Sequence, residues 1–418
     1  MLKQIEGSLG IAEAVALCRP GAVCAYPISP QTHIVENVGK LVKEGKLQDC
    51  EFINCESEFS AMSISIGASA GGVRTYTATA SQGLLFMAEG VYNASGLGLP
   101  IVMTVASRAI GAPINIWNDH SDSLSQRDSG WLQLFCESNQ DAVDTHIMAF
   151  KIAEEVGLPV MVLMDGYVLT HAFERLDMPT QEQIDSFLPE YQPTEYLDPK
   201  EPISMGAMVG PEAFTEVRLL QQRKMYKALP VIERVTKEYR ALTGRNSGGL
   251  VECYNCEGAD VKIVMAGSSV GTAKDEIDRL KEQGYKVGII SLKAYRPFPY
   301  DAMREAIGDC KNVVVVERAF SFGARGIIGP EVERSVKGTG AEVHSVICGL
   351  GGRAVLGSTV KRIADLALAH ELKDEVTWVD VEPKVLNNYL KDVEGVSFAD
   401  GKPISDSDII SSVKAEKA

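Results

Sequence analysis

Two carboxylates stand two residues apart in the stretch NCESEFSA, residues 54–61. Glu56 and Glu58 lie between an apolar run that is typical of a strand and a run of small residues that is typical of a closely packed helix. A carboxyl group enclosed at such a junction can hold a proton or share it with a ligand. Polar residues follow three other apolar runs in the same way: Ser29, Ser81 with Gln82, and Arg108.

The elements that must position these residues alternate regularly along the chain. Apolar, strand-like segments are separated by helical segments, which predicts a doubly wound α/β domain whose parallel sheet is covered on both faces. Ligands bind such sheets beyond the carboxyl ends of the strands, so we expect the polar strand ends to meet there. The predicted strands are 21–29, 51–56, 73–80, 100–107 and 159–165.

Each of these polar residues also has a plainer interpretation. Ser81 is an acceptable helix N-cap, and Glu58 is an acid in the first turn of a helix. For Arg108 the pattern favours a functional role. An enclosed guanidinium needs an anionic partner, and its planar fork suits a carboxylate.

A second α/β unit is expected after an irregular stretch, a helical run and the linker TGRNSGG, residues 243–249. Its pattern includes one long predicted strand, KVGIISLKAY, residues 286–295. We predict a first domain over 1–245, a second over 246–378, and a polar C-terminal tail over 379–418.

Composition excludes several classes of function. The net charge of -15 argues against nucleic-acid binding. The apolar runs are too short for a membrane span and the N-terminus has no signal-peptide core, so we expect a cytoplasmic location. Only Cys253 and Cys256, among nine cysteines, form a CxxC pair, which is half of a zinc or iron–sulfur site. Asp119, His120 and Asp122 could imitate a metal site, but nothing else in the pattern supports one. We therefore expect reduced thiols and no metal on this chain.

One motif in the second unit points to a different chemistry. GSSVG, residues 267–271, matches the nucleophile elbow of serine hydrolases, and Ser269 could be completed by Asp301 or Asp309 with His344. Glycine and serine also serve any tight turn between a strand and a helix, so a hydrolase is a remote alternative. A non-catalytic assembly subunit is a third class that stays open.

An ordered set of segments resembles one family. AYPISPQTHIVE, the ESE pair, TATASQGLLFM, SRAIGAPINIWNDHSDSLSQRDSGW and MDGYVLTH are together similar to the alpha subunit of pyruvate:ferredoxin oxidoreductase. This family is part of the thiamine diphosphate-dependent 2-oxoacid oxidoreductases, and the resemblance covers about residues 1 to 375. It implies a thiamine pyrimidine-binding domain followed by a transketolase-C-terminal-like α/β domain.

The resemblance also implies roles for individual residues. Glu58 takes the place of the carboxylate that hydrogen-bonds the aminopyrimidine ring, whereas Glu56 is left as a strand-end acid. Arg108 takes the place of the arginine that clamps the substrate carboxylate. Ser29 stands where most relatives have threonine. Further expected contributors are Ser81 and Gln82 at the cofactor, with Asn118, Asp119 and His120 on a loop whose favoured interpretation is structural.

A missing motif implies partner subunits. Thiamine enzymes hold magnesium and the diphosphate with GDG and a later Asn, and the nearest strings here, MDGY and IGDC, do not match. We therefore expect the beta subunit to bind Mg²⁺ and the diphosphate, and a gamma subunit and a ferredoxin-like delta subunit to complete the complex. The [4Fe-4S] clusters are expected on those other subunits.

The implied activity is oxidative decarboxylation of a 2-oxoacid, with coenzyme A as co-substrate, to acyl-CoA and CO2. Pyruvate is the first choice of substrate. An aryl or branched 2-oxoacid such as phenylglyoxylate is the alternative, because Ser29 could widen the pocket. The expected electron acceptor is ferredoxin, or NAD in a related complex, and catalysis is expected only in the assembled enzyme.

Overall fold

A computed structural model describes residues 1–373, 376–391 and 396–415 of the 418-residue chain. Contacts divide it into two compact units. The first contains Met1–Leu250 and Lys293–Pro299, and the second contains Val251–Leu292 and the described part of Tyr300–Ala418. None of the helices in these described ranges is both long enough and apolar enough to cross a membrane.

The strands are numbered along the chain. They are β1 Leu2–Glu6, β2 Ala22–Ala25, β3 Glu51–Asn54, β4 Thr75–Thr79, β5 Val102–Ser107, β6 Leu132–Phe135, β7 Val160–Asp165, β8 Phe173–Asp177, β9 Val251–Tyr254, β10 Val261–Met265, β11 Val287–Leu292, β12 Ala294–Arg296, β13 Asn312–Glu317, β14 Glu342–Ile347, β15 Thr377–Trp378 and β16 Ile404–Ser405.

The helices are numbered in the same way. They are α1 Gly7–Leu17, α2 Thr32–Lys43, α3 Glu58–Ala70, α4 Ser81–Phe86, α5 Ala88–Leu97, α6 Ser121–Ser125, α7 Asn139–Val156, α8 Gln181–Phe187, α9 Phe214–Thr243, α10 Ser269–Glu282, α11 Tyr300–Ile307, α12 Gly329–Ser335, α13 Gly357–Leu368, α14 Pro383–Tyr389 and α15 Asp406–Ala415.

The first unit is built on a sheet with the strand order β12-β6-β7-β5-β4-β2-β3. Its neighbouring strands are parallel except for the β12–β6 pair at one edge. All residues of β4, β5 and β7 are buried, as expected for strands covered on both faces. The predicted doubly wound α/β fold is confirmed, and β6 is a strand that the sequence pattern did not predict.

The second unit has its own sheet, with the order β16-β15-β14-β13-β10-β11-β9. The strands from β15 to β11 are parallel, and antiparallel β9 and β16 form the edges. Its core joins the apolar residues of these strands to α10 and α13. β16 pairs with β15, so part of the segment predicted to be a tail belongs to this sheet.

The prediction of one long strand over 286–295 is wrong, because this segment is not a single strand. It is two strands, β11 and β12, which belong to different sheets and different units. Lys293, between them, is 3% exposed and forms ion pairs with Glu137 at 3.0 Å and Asp141 at 2.9 Å. Continuous apolar character does not reveal such a crossing, because both strands are buried.

Candidate functional site

Five parallel strands of the first unit end at the same edge of their sheet. The segments that follow β2, β3, β4, β5 and β7 contain Ser29, Glu58, Ser81, Arg108 and Gly166. This is the edge at which open parallel sheets bind ligands. Hydrogen bonds and close contacts link these segments to one another.

Glu58 is the first residue of α3 and is 7% exposed. The Ser57 side chain caps the helix by accepting the Ser60 N–H at 3.2 Å, so Glu58 is not needed as the cap. Within the described part of the chain, no hydrogen bond or ion pair engages the Glu58 carboxylate. A buried carboxylate without a partner is costly, so Glu58 is a candidate ligand-binding residue.

Gly83 allows the carboxylate to approach α4. A Cβ atom added to Gly83 would lie 2.6 Å from Glu58 Oε1 and 2.6 Å from Thr79 Oγ1, so a larger residue does not fit there without a shift. The Thr79 hydroxyl is itself buried without a hydrogen-bond partner. An aminopyrimidine ring, which has N–H donors and a basic ring nitrogen, fits the chemistry of the open carboxylate.

Glu56 differs from Glu58 although only Ser57 separates them. Its carboxylate accepts a hydrogen bond from the Ser60 hydroxyl at the start of α3, and this bond lowers the pKa of Glu56. The side chain is exposed. The structure therefore places Glu56 at the start of the helix and not among the buried groups of the site.

Asp122 is a site residue whose main role the sequence did not indicate. It is fully buried, and its carboxylate accepts backbone N–H groups from Ser81 at 2.8 Å, Arg108 at 2.9 Å and Ser123 at 2.6 Å. Burial raises the pKa of Asp122 to about 7, against the lowering effect of these bonds. The side chain thereby joins the segment after β4 to the segment after β5.

Ser81 is fully buried and has a φ of 48°, a conformation that its N–H bond to Asp122 helps to hold. Its hydroxyl lies 2.5 Å from the Ala109 carbonyl and 2.5 Å from Gln82 Oε1. Gln82 is half-buried, and its Nε2 would lie 2.5 Å from a Cβ added to Gly111. These contacts give Ser81 a positioning role, and leave Gln82 as the more open of the two predicted cofactor contacts.

Arg108 is 6% exposed and holds two loops in place. Its Nε donates to the Asn115 carbonyl at 3.0 Å, and its Nη1 donates to the Ser29 carbonyl at 2.8 Å. Burial lowers the pKa of Arg108, while Asp122 and Tyr167 act in the opposite direction. No carboxylate of the described residues forms an ion pair with it. A buried cation paired only with carbonyls is suited to an anionic ligand.

Ser29 lies where the segment after β2 meets Arg108. Its carbonyl accepts from the guanidinium, and the Ser29–Pro30 peptide is cis. The residue is exposed, and its hydroxyl makes no hydrogen bond to the described chain. Pro30 packs closely on Gly166, where an added Cβ would lie 2.5 Å from its ring. The Ser29 backbone is thus held by Arg108, and its hydroxyl has its bonding capacity open.

The loop after Arg108 forms a buried network. Asn118, Asp119 and His120 are 3%, 4% and 2% exposed. His120 Nε2 lies 2.8 Å from Asp165 Oδ1 at the end of β7, and Asp119 accepts the Ser121 N–H at 3.0 Å. This arrangement agrees with the structural interpretation favoured for the loop.

Two alternatives raised by the sequence are not assembled. In the described ranges, Asp119, His120 and Asp122 do not form a group able to hold a metal ion. In the second unit the Ser269 hydroxyl is buried without a partner, and His344 Nδ1 bonds the Lys373 carbonyl at 3.1 Å. The hydrolase triad through Ser269 and His344 is therefore not formed.

Comparison with known proteins first defines the class of protein to which the chain belongs. The thiamine diphosphate-binding domain of pyruvate flavodoxin/ferredoxin oxidoreductases matches residues 13–237. Core domain II of pyruvate:ferredoxin oxidoreductase matches residues 259–363. Together these are the two domains of a thiamine diphosphate-dependent 2-oxoacid oxidoreductase. The chain belongs to the pyruvate flavodoxin/ferredoxin oxidoreductase family, as the sequence resemblance predicted.

The alignments with similar proteins cover most of this chain and nearly the whole length of each relative. Pyruvate synthase subunit PorA of Methanosarcina barkeri is 42% identical over 366 residues, covering 86% of this chain and 91% of the relative. The same subunit of Methanocaldococcus jannaschii is 44% identical over 386 residues, covering 91% and 98%. Ketoisovalerate oxidoreductase subunit VorA of Pyrococcus abyssi is 39% identical over 383 residues, covering 90% and 97%.

Solved structures support the fold. A 2-oxoglutarate:ferredoxin oxidoreductase from Magnetococcus marinus aligns with a TM-score of 0.64 at 20% identity, and covers 87% of this chain. This chain spans 65% of that protein. A split-gene transketolase aligns with a TM-score of 0.52 at 15% identity, covering 88% and 99%. The predicted pyrimidine-binding and transketolase-C-terminal-like architecture is confirmed.

Proposed function

We propose that this chain is the alpha subunit of an enzyme that oxidatively decarboxylates pyruvate to acetyl-CoA and CO2, and that Glu58 is its acid–base residue. The observation that carries the proposal is the buried Glu58 carboxylate, which has no partner within the described chain and lies against Gly83. Family membership supplies the class of reaction, and the geometry supports the assignment of residues.

Thiamine diphosphate, when bound, supplies a carbon nucleophile and an electron sink for decarboxylation. Glu58 would hold the proton shared with the aminopyrimidine nitrogen, because its carboxylate accepts no competing hydrogen bond. Glu58 is the first residue of a capped helix, and the helix fixes the position of its backbone relative to the ring. Burial keeps water from competing for that proton, which strengthens the shared hydrogen bond.

Arg108 and Ser29 would bind the oxoacid. The guanidinium is held by two backbone carbonyls, so it is oriented before the substrate carboxylate arrives. The Ser29 hydroxyl would donate to the keto oxygen, for which its bonding capacity is open. Asp122 would keep the ends of β4 and β5 together while these residues act.

Pyruvate is proposed because the similar proteins include pyruvate synthase subunits at 42% and 44% identity. A ketoisovalerate oxidoreductase subunit at 39% identity supports a branched oxoacid as the second candidate. Ser29 favours that candidate, since serine is one methyl group smaller than the threonine expected there.

The proposal includes a complex located in the cytoplasm. The chain lacks the GDG and Asn pattern, so a beta subunit would bind Mg²⁺ and the diphosphate. Gamma and ferredoxin-like delta subunits would carry the [4Fe-4S] clusters, with ferredoxin as acceptor. The isolated chain should then bind thiamine diphosphate weakly, and micromolar affinity by calorimetry would contradict the shared site.

The test is purification of the chain with the subunits that accompany it, followed by assays with coenzyme A and a ferredoxin or viologen acceptor. Pyruvate, 2-oxoisovalerate and phenylglyoxylate are compared by kcat/KM, and NAD is supplied as the alternative acceptor. Thiamine-dependent acetyl-CoA formation with pyruvate preferred supports the proposal. Preference for another oxoacid would contradict the substrate, and absence of thiamine dependence would contradict the function.

A further inference from the structure

A group of potential metal ligands lies in the first unit outside the candidate site. Glu6, His33 and His171 each place one donor atom within 4.8 Å of the others. Within the described ranges it is the only such group of three or more His, Cys, Asp or Glu side chains. The three residues are far apart in sequence, so no local motif indicates the group, and it lies outside the expectation of no metal that was based on the cysteines.

The backbone brings the three segments together. Glu6 is the last residue of β1 and pairs with Phe173 of β8. The next two N–H groups, of Gly7 and Ser8, donate to the carbonyls of Ala172 at 2.9 Å and Thr170 at 3.0 Å. These bonds fix the segment that carries His171 beside Glu6.

His33 completes the group from the first turn of α2, which packs against α1. Its Nδ1 lies 2.7 Å from Glu6 Oε1, and its ring centroid lies 4.7 Å from that of His171. The Tyr167 ring also packs against the His171 ring, with 4.7 Å between the centroids. Both imidazoles are therefore held close to one carboxylate.

Thr170 orients the second imidazole. Its hydroxyl lies 2.7 Å from His171 Nδ1 and accepts the Tyr167 N–H at 2.9 Å. When Nδ1–H donates to this hydroxyl, Nε2 is unprotonated and able to bind a metal, an arrangement typical of metal-binding histidines.

We propose that Glu6, His33 and His171 bind a divalent transition-metal ion such as Zn²⁺ through one carboxylate oxygen and two imidazole nitrogens. Imidazole ligands favour this class of ion over Mg²⁺ or Ca²⁺. Metal–nitrogen distances of about 2.0–2.1 Å require the donors to converge through side-chain rotation. The bound ion would connect β1, α2 and the segment after β7, with its remaining position open to water.

Co²⁺ is the probe, because its visible spectrum reports the coordination geometry. The full chain carries Cys253→Ser as a common background, since the CxxC pair is a competing soft-ligand site. One Co²⁺ per chain is expected by titration. His33→Ala, His171→Ala or Glu6→Gln should weaken binding by more than roughly 100-fold, and Thr170→Val by roughly 10–100-fold through loss of the orienting bond.

Two matched controls remove the same groups elsewhere. His370→Ala removes an exposed imidazole of the second unit. Glu13→Gln removes a carboxylate of α1 that pairs with Lys3. Both should retain one Co²⁺ per chain. Binding that survives His33→Ala and His171→Ala, or that is lost equally in the controls, would overturn the proposal.

A measurement on the chain with its three ligands intact covers the case in which these variants fail to fold. X-ray absorption of the Zn²⁺-loaded Cys253→Ser chain should show two imidazole ligands, and Zn²⁺ should raise its Tm. Absence of a stoichiometric ion, or a first shell with fewer than two imidazoles, would contradict the site. None of these outcomes depends on the proposed oxidoreductase activity.

Discussion

Glu58 in the first unit and Glu317 in the second are both buried carboxylates at the carboxyl end of a parallel strand, yet their surroundings differ. Glu317 is 0% exposed and accepts the N–H groups of Ile327 and Ile328 at 2.6 Å each and of Gly329 at 3.1 Å. Glu58 accepts none from the described chain. The same chemical group thus fixes a turn in one unit and makes no such bond in the other.

This comparison shows what separates a structural acid from a candidate catalytic acid. Burial is common to both glutamates, so burial alone does not identify a functional site. The two glutamates are distinguished by the number of hydrogen bonds that each carboxylate already makes within the chain. Variants of the two residues should accordingly affect different properties, activity for Glu58 and stability for Glu317.

The largest effect is expected from Glu58→Gln. The amide keeps the shape but loses the proton-sharing carboxylate, so turnover of the assembled enzyme should fall by roughly 10²–10⁴-fold. The Tm should hardly change, because no intrachain bond is lost. Glu56→Gln is the matched control and should cost far less, since Glu56 is exposed. The reverse order of effects would show that the wrong acid was chosen.

Glu317→Ala should act on stability. Three N–H groups, two of them buried and one partly buried, lose their acceptor at about 1–3 kcal/mol each, so we expect a loss of about 3 kcal/mol or more in the free energy of unfolding. Urea titration followed by circular dichroism measures it. The control is Glu333→Ala, which removes only a surface pair with Arg325 worth about 0–1 kcal/mol. Equal stability of the two variants would contradict the structural role of Glu317.

Arg108→Lys tests whether the first unit's open groups serve a substrate. The ammonium keeps the charge but not the fork, and the loss of one charged hydrogen bond of about 1.5–3 kcal/mol should lower kcat/KM by roughly 10–100-fold. Thiamine affinity of the complex should be unchanged. Ser29→Thr is the companion, expected to penalise bulky oxoacids more than pyruvate. Unchanged oxoacid kinetics in Arg108→Lys would leave this arginine a loop anchor.

Titration of Glu317 gives a pH dependence of stability. Burial raises its folded-state pKa from 4.5 to about 7, so between these values the folded chain binds more protons than the unfolded chain. Stability from this group is therefore lost as pH rises through that interval, by on the order of 2 kcal/mol. From pH 5 to 8, the unfolding free energy of the wild type should fall relative to that of Glu317→Gln, whose amide does not titrate. Parallel curves would assign the effect to other groups such as Asp122.

The smallest effect is expected at Cys253, an exposed thiol of the second unit. A hydrogen bond from Cys256 lowers the pKa of Cys253 to about 7, whereas Cys256 is buried and its thiol lies 3.1 Å from the Ile289 carbonyl. Iodoacetamide should modify Cys253 first, at a rate that rises through pH 7. Peptide mapping by mass spectrometry checks this. Cys256→Ser should move the rate profile to higher pH, and an unmoved profile would contradict the thiol pairing.

Sequence patterns predicted several residues that the structure brings to one edge of the sheet. Ser29, Glu58 and Arg108 were found because each follows an apolar strand, and in parallel sheets such positions share one edge. Asp122 was considered only as a metal ligand, since nothing local to it indicates that it accepts N–H groups from Ser81 and Arg108. Ser81 was predicted to contact the cofactor directly. Its hydroxyl donates to the carbonyl of Ala109, which lies in another segment, so no pattern local to Ser81 could indicate this bond.

The sequence by itself determined the α/β class and the family, because periodicity and motif residues are local properties of the chain. Only the tertiary structure decided which of two adjacent acids is buried, that β11 and β12 enter different sheets, and that Glu6 meets His33 and His171. These outcomes depend on packing between segments distant in sequence. Side-chain burial and hydrogen-bond partners are set by those contacts, and no local pattern encodes them.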